Sequence, residues 1–259
     1  MNKIFALAGV VIKELYRRKD FYVLFVLTAL LTLVAYMVNF FHDEKIVRIV
    51  KDACLLLIWI SALVIAIVTA ARQIPAEREA RTIFPLLAKP VSRGQVIVGK
   101  FLGCWLATAV ALVVFYVFFA IITGSREHIW PLANYFQALW MQMMMLAIVI
   151  AMVLLGSIYF AAPSSTTTII FVIVVGILGL GSHLNNIALS QPQPMQSIIS
   201  VIYFAIPHLE WYDLRDFVVY DQPLAPWVAV FEATVYAAVW TWIFLLLAWL
   251  GFRRKSLTT

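Results

Sequence analysis

Six apolar stretches, each long enough to cross a lipid bilayer, constrain what this chain can fold into. Crossing about 30 Å of hydrocarbon takes about 20 helical residues, and lipid offers no partner to backbone groups that are not bonded within a helix. The chain has 259 residues, of which 64% are hydrophobic and 12% are charged, so it has no room for a sizeable soluble domain. We predict an all-α polytopic membrane protein, one transmembrane domain over residues 1–259 with six transmembrane helices. The predicted spans are Phe21–Phe41, Ala53–Ala71, Phe101–Thr123, Tyr135–Ala161, Thr166–Leu184 and Pro226–Phe252.

One more helix is predicted ahead of the spans. The segment Asn2–Lys19 places apolar residues at helical spacing on one face and basic residues on the other. A helix of this kind lies in the membrane interface, with its apolar face towards the acyl chains. The alternative is a charged flank that belongs to the first span.

The distribution of basic residues predicts the orientation of the chain. Five of the nineteen Lys and Arg precede the first span, six lie between Arg72 and Lys100, and three follow the last span, so fourteen share one side. The other side holds five. Because the cytoplasmic side of a membrane protein carries the excess of Lys and Arg, we predict that both termini are cytoplasmic and that the protein lies in the inner membrane. The net charge of +6 then reflects topology, and we predict no nucleic-acid partner.

The basic loop of residues 72–100 opens with signals for a short helix. Pro75 suits a first helical turn, where its missing N–H costs nothing. Glu77 and Glu79 follow, and their negative charges interact favourably with the positive, N-terminal end of the helix dipole. We predict a helix from Pro75 to Ile83 that ends or bends at Pro85.

The end of the same loop carries a signal for a second helix. Pro90 prevents continuation of the first helix, and Ser92 with Gln95 forms a capping-box pattern. We therefore predict a helix that starts at Ser92 and runs into the span that begins at Phe101. The alternative for the whole loop is a solvated, charged connection without a partner.

The pattern E-x-E-x-R-T-x-x-x-L-L-x-x-P-x-S-R-x-x-x-x-x-G-K, from Glu77 to Lys100, resembles the first cytoplasmic loop of type-2 ABC transporter permeases. These are membrane subunits of exporters and of copper-processing and gliding-associated systems. The resemblance implies that the loop contains a coupling helix that docks on a separate ABC ATPase. Pro85 departs from the pattern, since an ordinary helical residue is expected there. The implied ATPase-coupling residues are Glu77, Glu79, Arg81, Thr82, Leu86, Leu87, Pro90, Ser92 and Arg93.

Sequence motifs for catalysis or cofactor binding are missing. There is no Gly-x-x-x-x-Gly-Lys-Ser/Thr phosphate loop, so ATP and Mg are expected on the partner ATPase and no cofactor on this chain. Cys54 and Cys104 lie in apolar segments with neither a disulfide nor a metal-ligand spacing, and no metal site is predicted.

Two features inside the spans are candidates for the substrate pathway. Met141, Met144 and Met145 share one face of the fourth span, and thioethers are soft ligands for Cu(I), although methionine also fills gaps in apolar cores. Glu232 falls inside the sixth span, where an ionisable group is a functional candidate. The alternative is that Glu232 reaches the outer interface.

The segment of residues 185–225 is the longest connection on the predicted outer side. Within it, Met195–Ile206 is apolar but too short to span, which favours an interfacial or re-entrant helix. A capping loop is the alternative.

The sequence is compatible with three functions. The first is the permease subunit of an ABC exporter, in which two copies form the substrate pathway above two ATPases. The others are an intramembrane enzyme and a non-transporting membrane anchor for a cytoplasmic complex. We favour the permease, which by itself is not an enzyme, because it explains a dedicated polar module beside the lack of a nucleotide motif.

Overall fold

The protein, seen here in a computed structural model, is all-α wherever the structure describes it. The described residues are 2–16, 44–79, 92–127, 131–160, 162–190, 206–220 and 222–254, with isolated positions between 26 and 33 and between 196 and 204. The elements are α1 (Asn2–Tyr16), α2 (Glu44–Arg72), α3 (Pro75–Glu79), α4 (Arg93–Glu127), α5 (Leu132–Tyr159), α6 (Pro163–Ser190), a 3-10 helix (Leu209–Tyr212), α7 (Arg215–Val219) and α8 (Trp227–Arg254).

Four of these helices, α2, α4, α5 and α8, are long and apolar enough to cross a membrane. They correspond to the second, third, fourth and sixth predicted spans. Helix α6 corresponds to the fifth predicted span, but its apolar part, Pro163–Gly179, is shorter than the length taken for a membrane span. The first predicted span, Phe21–Phe41, lies almost entirely outside the described residues, so the total of six spans stays a prediction.

Helix α5 lies at the centre of the bundle, because its surface is apolar all round. It packs against α2, α4, α6 and α8, and residues 148–151 are fully buried. Polar side chains reinforce the packing: the Trp105 indole N–H donates to the Met143 carbonyl (2.9 Å), and Trp140 donates to Thr234 Oγ1 on α8 (3.0 Å). Helix association in lipid depends on such close packing and interhelical hydrogen bonds.

Helix α1 packs along the first part of α4, over two glycines one helical turn apart. A Cβ added to Gly99 would lie 2.9 Å from Leu7 Cβ, and one added to Gly103 would lie 2.7 Å from Val11 Cβ and 3.0 Å from the Ala8 backbone. These glycines therefore form the groove that admits α1, as small-xxx-small patterns do between membrane helices. The location of α1 in a membrane interface stays a prediction.

Candidate coupling site and the cavity between α5 and α8

The two ends of the polar loop meet at a buried lysine at the start of the third predicted span. Lys100, whose side chain is 4% exposed, donates to the Gln73 carbonyl (2.8 Å), to Gln73 Oε1 (3.3 Å) and to Glu77 Oε1 (2.7 Å). Gln73 lies in the turn between α2 and α3, and Glu77 lies in the first turn of α3. Lys100 thus binds the start of α4 to the turn after α2 and to α3, which form the beginning of the loop.

The predicted capping box is present at the start of α4. The Ser92 N–H donates to Gln95 Oε1 (3.1 Å), and the Gln95 N–H donates to Ser92 Oγ (3.2 Å). Each side chain satisfies a backbone donor that the first turn would otherwise leave unbonded. The cap places the next residue, Arg93, at a defined position beside the end of α8.

Arg93 binds the last carbonyls of α8. Its Nη1 donates to the Phe252 carbonyl at 2.7 Å and to the Arg253 carbonyl at 3.1 Å, and the guanidinium lies 5.5 Å from the centre of the Phe252 ring. A cation at a helix C-terminus satisfies free carbonyls and is favoured by the helix dipole. Arg93 therefore connects the loop to the last span.

An apolar cluster lies beneath these two cations. It joins the turn after α2 to α4, α5 and α8, and its buried members are Ile74, Ile97, Ile158, Ala248 and Phe252. We call Gln73, Glu77, Arg93 and Lys100, with the carbonyls that they bind, the loop base. Hydrogen bonds and the packing of this apolar cluster thus join the loop base to α2, α4, α5 and α8.

At the opposite end of the bundle, a cavity of about 420 Å³ opens between α5, the 3-10 helix and α8. Its wall is mostly apolar, and Glu232 is the one charged residue among the described residues that line it. Other lining residues are Met141, Trp211, Leu214, Ala233 and Tyr236. We call it the α5–α8 cavity.

Beside this cavity, His208 is buried in an aromatic stack. Its ring lies 4.2 Å from the Tyr203 ring and 4.7 Å from the Trp211 ring, measured between centroids. Burial lowers the pKa of His208, and the carboxylate of Glu210, 3.7 Å from Nδ1, opposes that shift. His208 is therefore neutral at pH 7 and packs as an aromatic ring.

Arg215 joins the same region to α2. Its guanidinium donates to both oxygens of Asp213 (2.8 and 2.6 Å), lies 4.0 Å from Asp52 Oδ1, and sits 5.8 Å from the centre of the Trp59 ring. The hydrogen bonds with Asp213 raise the pKa of Arg215, against the effect of burial. This cation is consequently neutralised within the chain.

The sequence pattern that defines the family described as ABC-2 family transporter protein matches residues 8–257. The chain belongs to the ABC-2 transporter family. Among curated proteins, none matches this chain. As an ABC-2 protein it is a multi-pass membrane transport subunit of an ABC transporter, and membership of this family implies an ABC ATPase partner.

Three of the coupling residues implied by the resemblance to ABC transporter permeases, Glu77, Ser92 and Arg93, lie in or next to the loop base. Glu79 lies at the end of α3. The others, Arg81, Thr82, Leu86, Leu87 and Pro90, are outside the described residues, as are Pro85 and most of Met195–Ile206. Their roles, and the re-entrant helix, stay predictions.

The pathway candidates of this ABC-2 subunit separate in the structure. Met141 and Glu232 line the same cavity, and Met144 and Met145 do not, although all three methionines are buried in one apolar core (Met141 4%, Met144 8% and Met145 0% exposed). Among the described residues no three His, Cys, Asp or Glu side chains converge on a metal-sized site. The Met144 and Met145 side chains lie in the core, and a role of the methionines in the substrate pathway stays a prediction.

Sequence reasoning missed Lys100 as a functional residue and missed the groove on α4. Both had a signal: Gly99-Lys-Phe-Leu-Gly103 is a G-x-x-x-G pattern with a lysine inside an apolar run. A lysine at that depth needs a partner, and the nearest acid across the loop is Glu77.

Proposed function

We propose that this ABC-2 subunit works as an exporter in the inner membrane, as a pair of identical chains, and that residues 72–100 couple it to the ATPase. Orientation with both termini in the cytoplasm is supported by the fourteen of nineteen basic residues on the loop side. The export direction rests on the resemblance of the loop to exporter permeases. Pairing rests on the resemblance to permeases that work as two copies; the exposed apolar face of α8, which includes Phe231, Val239 and Trp242, is suited to contact with either lipid or a second chain.

The observation that carries the coupling proposal is the double attachment of the loop. Lys100 binds the turn between α2 and α3, while Arg93 binds the end of α8. Movement of α3 by an ATPase would therefore be transmitted to α2, α4 and α8 as one body. Most of the accepting groups are backbone carbonyls, whose positions the helices themselves determine, so the connection is stiff.

The test uses the full chain copurified with its ABC ATPase, with a reporter cysteine in place of the exposed Tyr220. We expect trapping with ATP and vanadate to change the labelling rate of this cysteine in the otherwise wild-type protein. In Arg93→Gln the ATPase should stay bound while the labelling change is lost, because α8 is released from the loop. Lys13→Gln, an exposed change on α1, is the matched control.

A labelling change of wild-type size in a folded Arg93→Gln protein would contradict the coupling role of the loop base. Docking itself is tested separately by Glu79→Lys. Reversal of Glu77 would not isolate docking, since it would place a second ammonium group beside Lys100. Loss of ATPase binding in Glu79→Lys, with unchanged thermal stability, is the expected result for a docking residue.

A further inference from the structure

The α5–α8 cavity has the size and composition of a small-molecule site. Its volume of about 420 Å³ falls within the range of about 300–1,000 Å³ that ligand pockets occupy. Leu214, Ala233 and Met141 supply an apolar wall, and a few polar groups interrupt it. An apolar wall with few polar groups selects a ligand with an apolar body and a single polar centre.

The polar centre of the cavity is a carboxylate. Glu232 lies in the second turn of α8 and is exposed where it lines the cavity, and among the described side chains it has neither an ion pair nor a hydrogen bond. The nearby cation Arg215 is bound to Asp213 and Asp52 instead. A carboxylate that no cation of the described chain neutralises is complementary to a cationic ligand.

Two aromatic rings, those of Trp211 and Tyr236, line the same cavity as this carboxylate. Tyr236 follows Glu232 by four residues and so projects from the same face of α8. The Trp211 and Tyr236 ring centroids lie 5.3 Å apart at an angle of 45°. Aromatic faces attract organic cations, and the attraction grows as the site loses water.

The walls of the cavity are held by hydrogen bonds that involve no ligand. Gln137 of α5 donates to the Ala225 carbonyl (3.0 Å) and accepts from the Ala225 N–H (3.1 Å). Tyr212 donates to the Ala233 carbonyl of α8 (2.8 Å). The backbone segments that carry the carboxylate and the Trp211 and Tyr236 rings are thus held in place before a ligand arrives, which lowers the cost of binding.

Charge around the cavity also favours cations. The described residues between 207 and 232 include four acids, Glu210, Asp213, Asp216 and Glu232, against one arginine. A surface with this excess raises the local concentration of positively charged solutes.

We propose that the α5–α8 cavity binds an organic monocation with an apolar body, with Glu232 as counter-ion and Trp211 and Tyr236 as cation–π partners. Binding is a property of this chain alone. The meaning of that binding as substrate recognition rests on the proposed transport function.

The probe is radiolabelled tetraphenylphosphonium, measured by equilibrium binding to the full chain in discs of zwitterionic lipid, after subtraction of protein-free discs. We expect saturable binding that weakens about tenfold in Glu232→Gln, which keeps the side-chain shape and removes the charge. Asp216→Asn, an exposed acid on α7 outside the lining, should stay within about twofold of wild type. Trp211→Leu, at a half-exposed ring, should weaken binding about threefold.

The proposal is overturned if wild type shows no saturable binding, if Glu232→Gln loses less than about threefold, or if Asp216→Asn loses as much as Glu232→Gln. If Glu232→Gln does not fold, Trp211→Leu is used instead, and wild-type affinity in that variant overturns the proposal. Neutral triphenylphosphine oxide should compete at least about tenfold less well, and equal competition also overturns the proposal. If tetraphenylphosphonium binds as expected but does not change ATP hydrolysis by the complex, the transport role is rejected and the binding site is retained.

Discussion

Replacing Lys100 with methionine should destabilise the protein and release the loop from α4. The apolar stem of the side chain is kept, and three contacts are lost, two to Gln73 and one to Glu77. Breaking a buried ion pair by removing one partner costs about 3–5 kcal/mol. Because the Glu77 side chain is 25% exposed and regains water, we expect a loss of about 2–3 kcal/mol in the free energy of unfolding.

The complementary change, Glu77→Gln, should cost a similar amount, because it leaves the more deeply buried Lys100 ammonium without an opposite charge. Glutamine keeps an acceptor for the ammonium group, so a charge-assisted hydrogen bond becomes a weaker one and Lys100 retains Gln73. Because these neutral acceptors remain, we expect a loss of about 2–3 kcal/mol, below the full cost of about 3–5 kcal/mol for an unpaired buried charge. In the Lys100→Met/Glu77→Gln double variant, neither charge is left without its partner, so the two losses should not add. We expect a coupling energy of about 1–2 kcal/mol between the two substitutions.

The measurement is equilibrium unfolding in mixed micelles, followed by tryptophan fluorescence, for wild type, both single variants and the double variant. Lys13→Met serves as the control, because this exposed lysine should change stability by less than about 0.5 kcal/mol. Additive losses, with a coupling energy below about 0.5 kcal/mol, would refute the claim that Lys100 and Glu77 act as one unit.

Three other predictions follow from the packing, from the buried histidine and from the topology. Gly103→Ala should cost about 1–3 kcal/mol in unfolding experiments because its methyl group meets α1, whereas Gly179→Ala, with open space around it, should cost nothing. Burial lowers the pKa of His208, so the folded protein favours the neutral imidazole more than the unfolded chain does. The stabilisation from neutral His208 is complete above about pH 6.5, and it is lost as the pH falls from there through the folded pKa. Thermal melts of His208→Phe should lack this loss. Single cysteines at Ser92 and Asp216 should react with an impermeant thiol reagent from opposite sides of the membrane, and labelling of both from outside would reject the orientation.

The features that depend on near neighbours in the chain were predictable. The Ser92–Gln95 capping box joins residues three apart, and its two hydrogen bonds are present as expected. The four spans on α2, α4, α5 and α8 follow from long apolar runs, since a backbone in lipid has to satisfy its own hydrogen bonds. Pro75 begins α3, as its missing N–H allows.

The features that depend on distant residues were decided by the tertiary structure. Arg93 binds carbonyls about 160 positions away, and Lys100 binds Glu77 across the loop, pairings that no local pattern specifies. Likewise, all three methionines of the predicted face are buried in the core, but of the three Met141 alone also lines the cavity that contains Glu232. The sequence alone determined which segments are helical and apolar. Only the packing of those helices decided which side chain of each face meets a partner, a cavity or the core, because such contacts depend on how each helix is rotated against its neighbours.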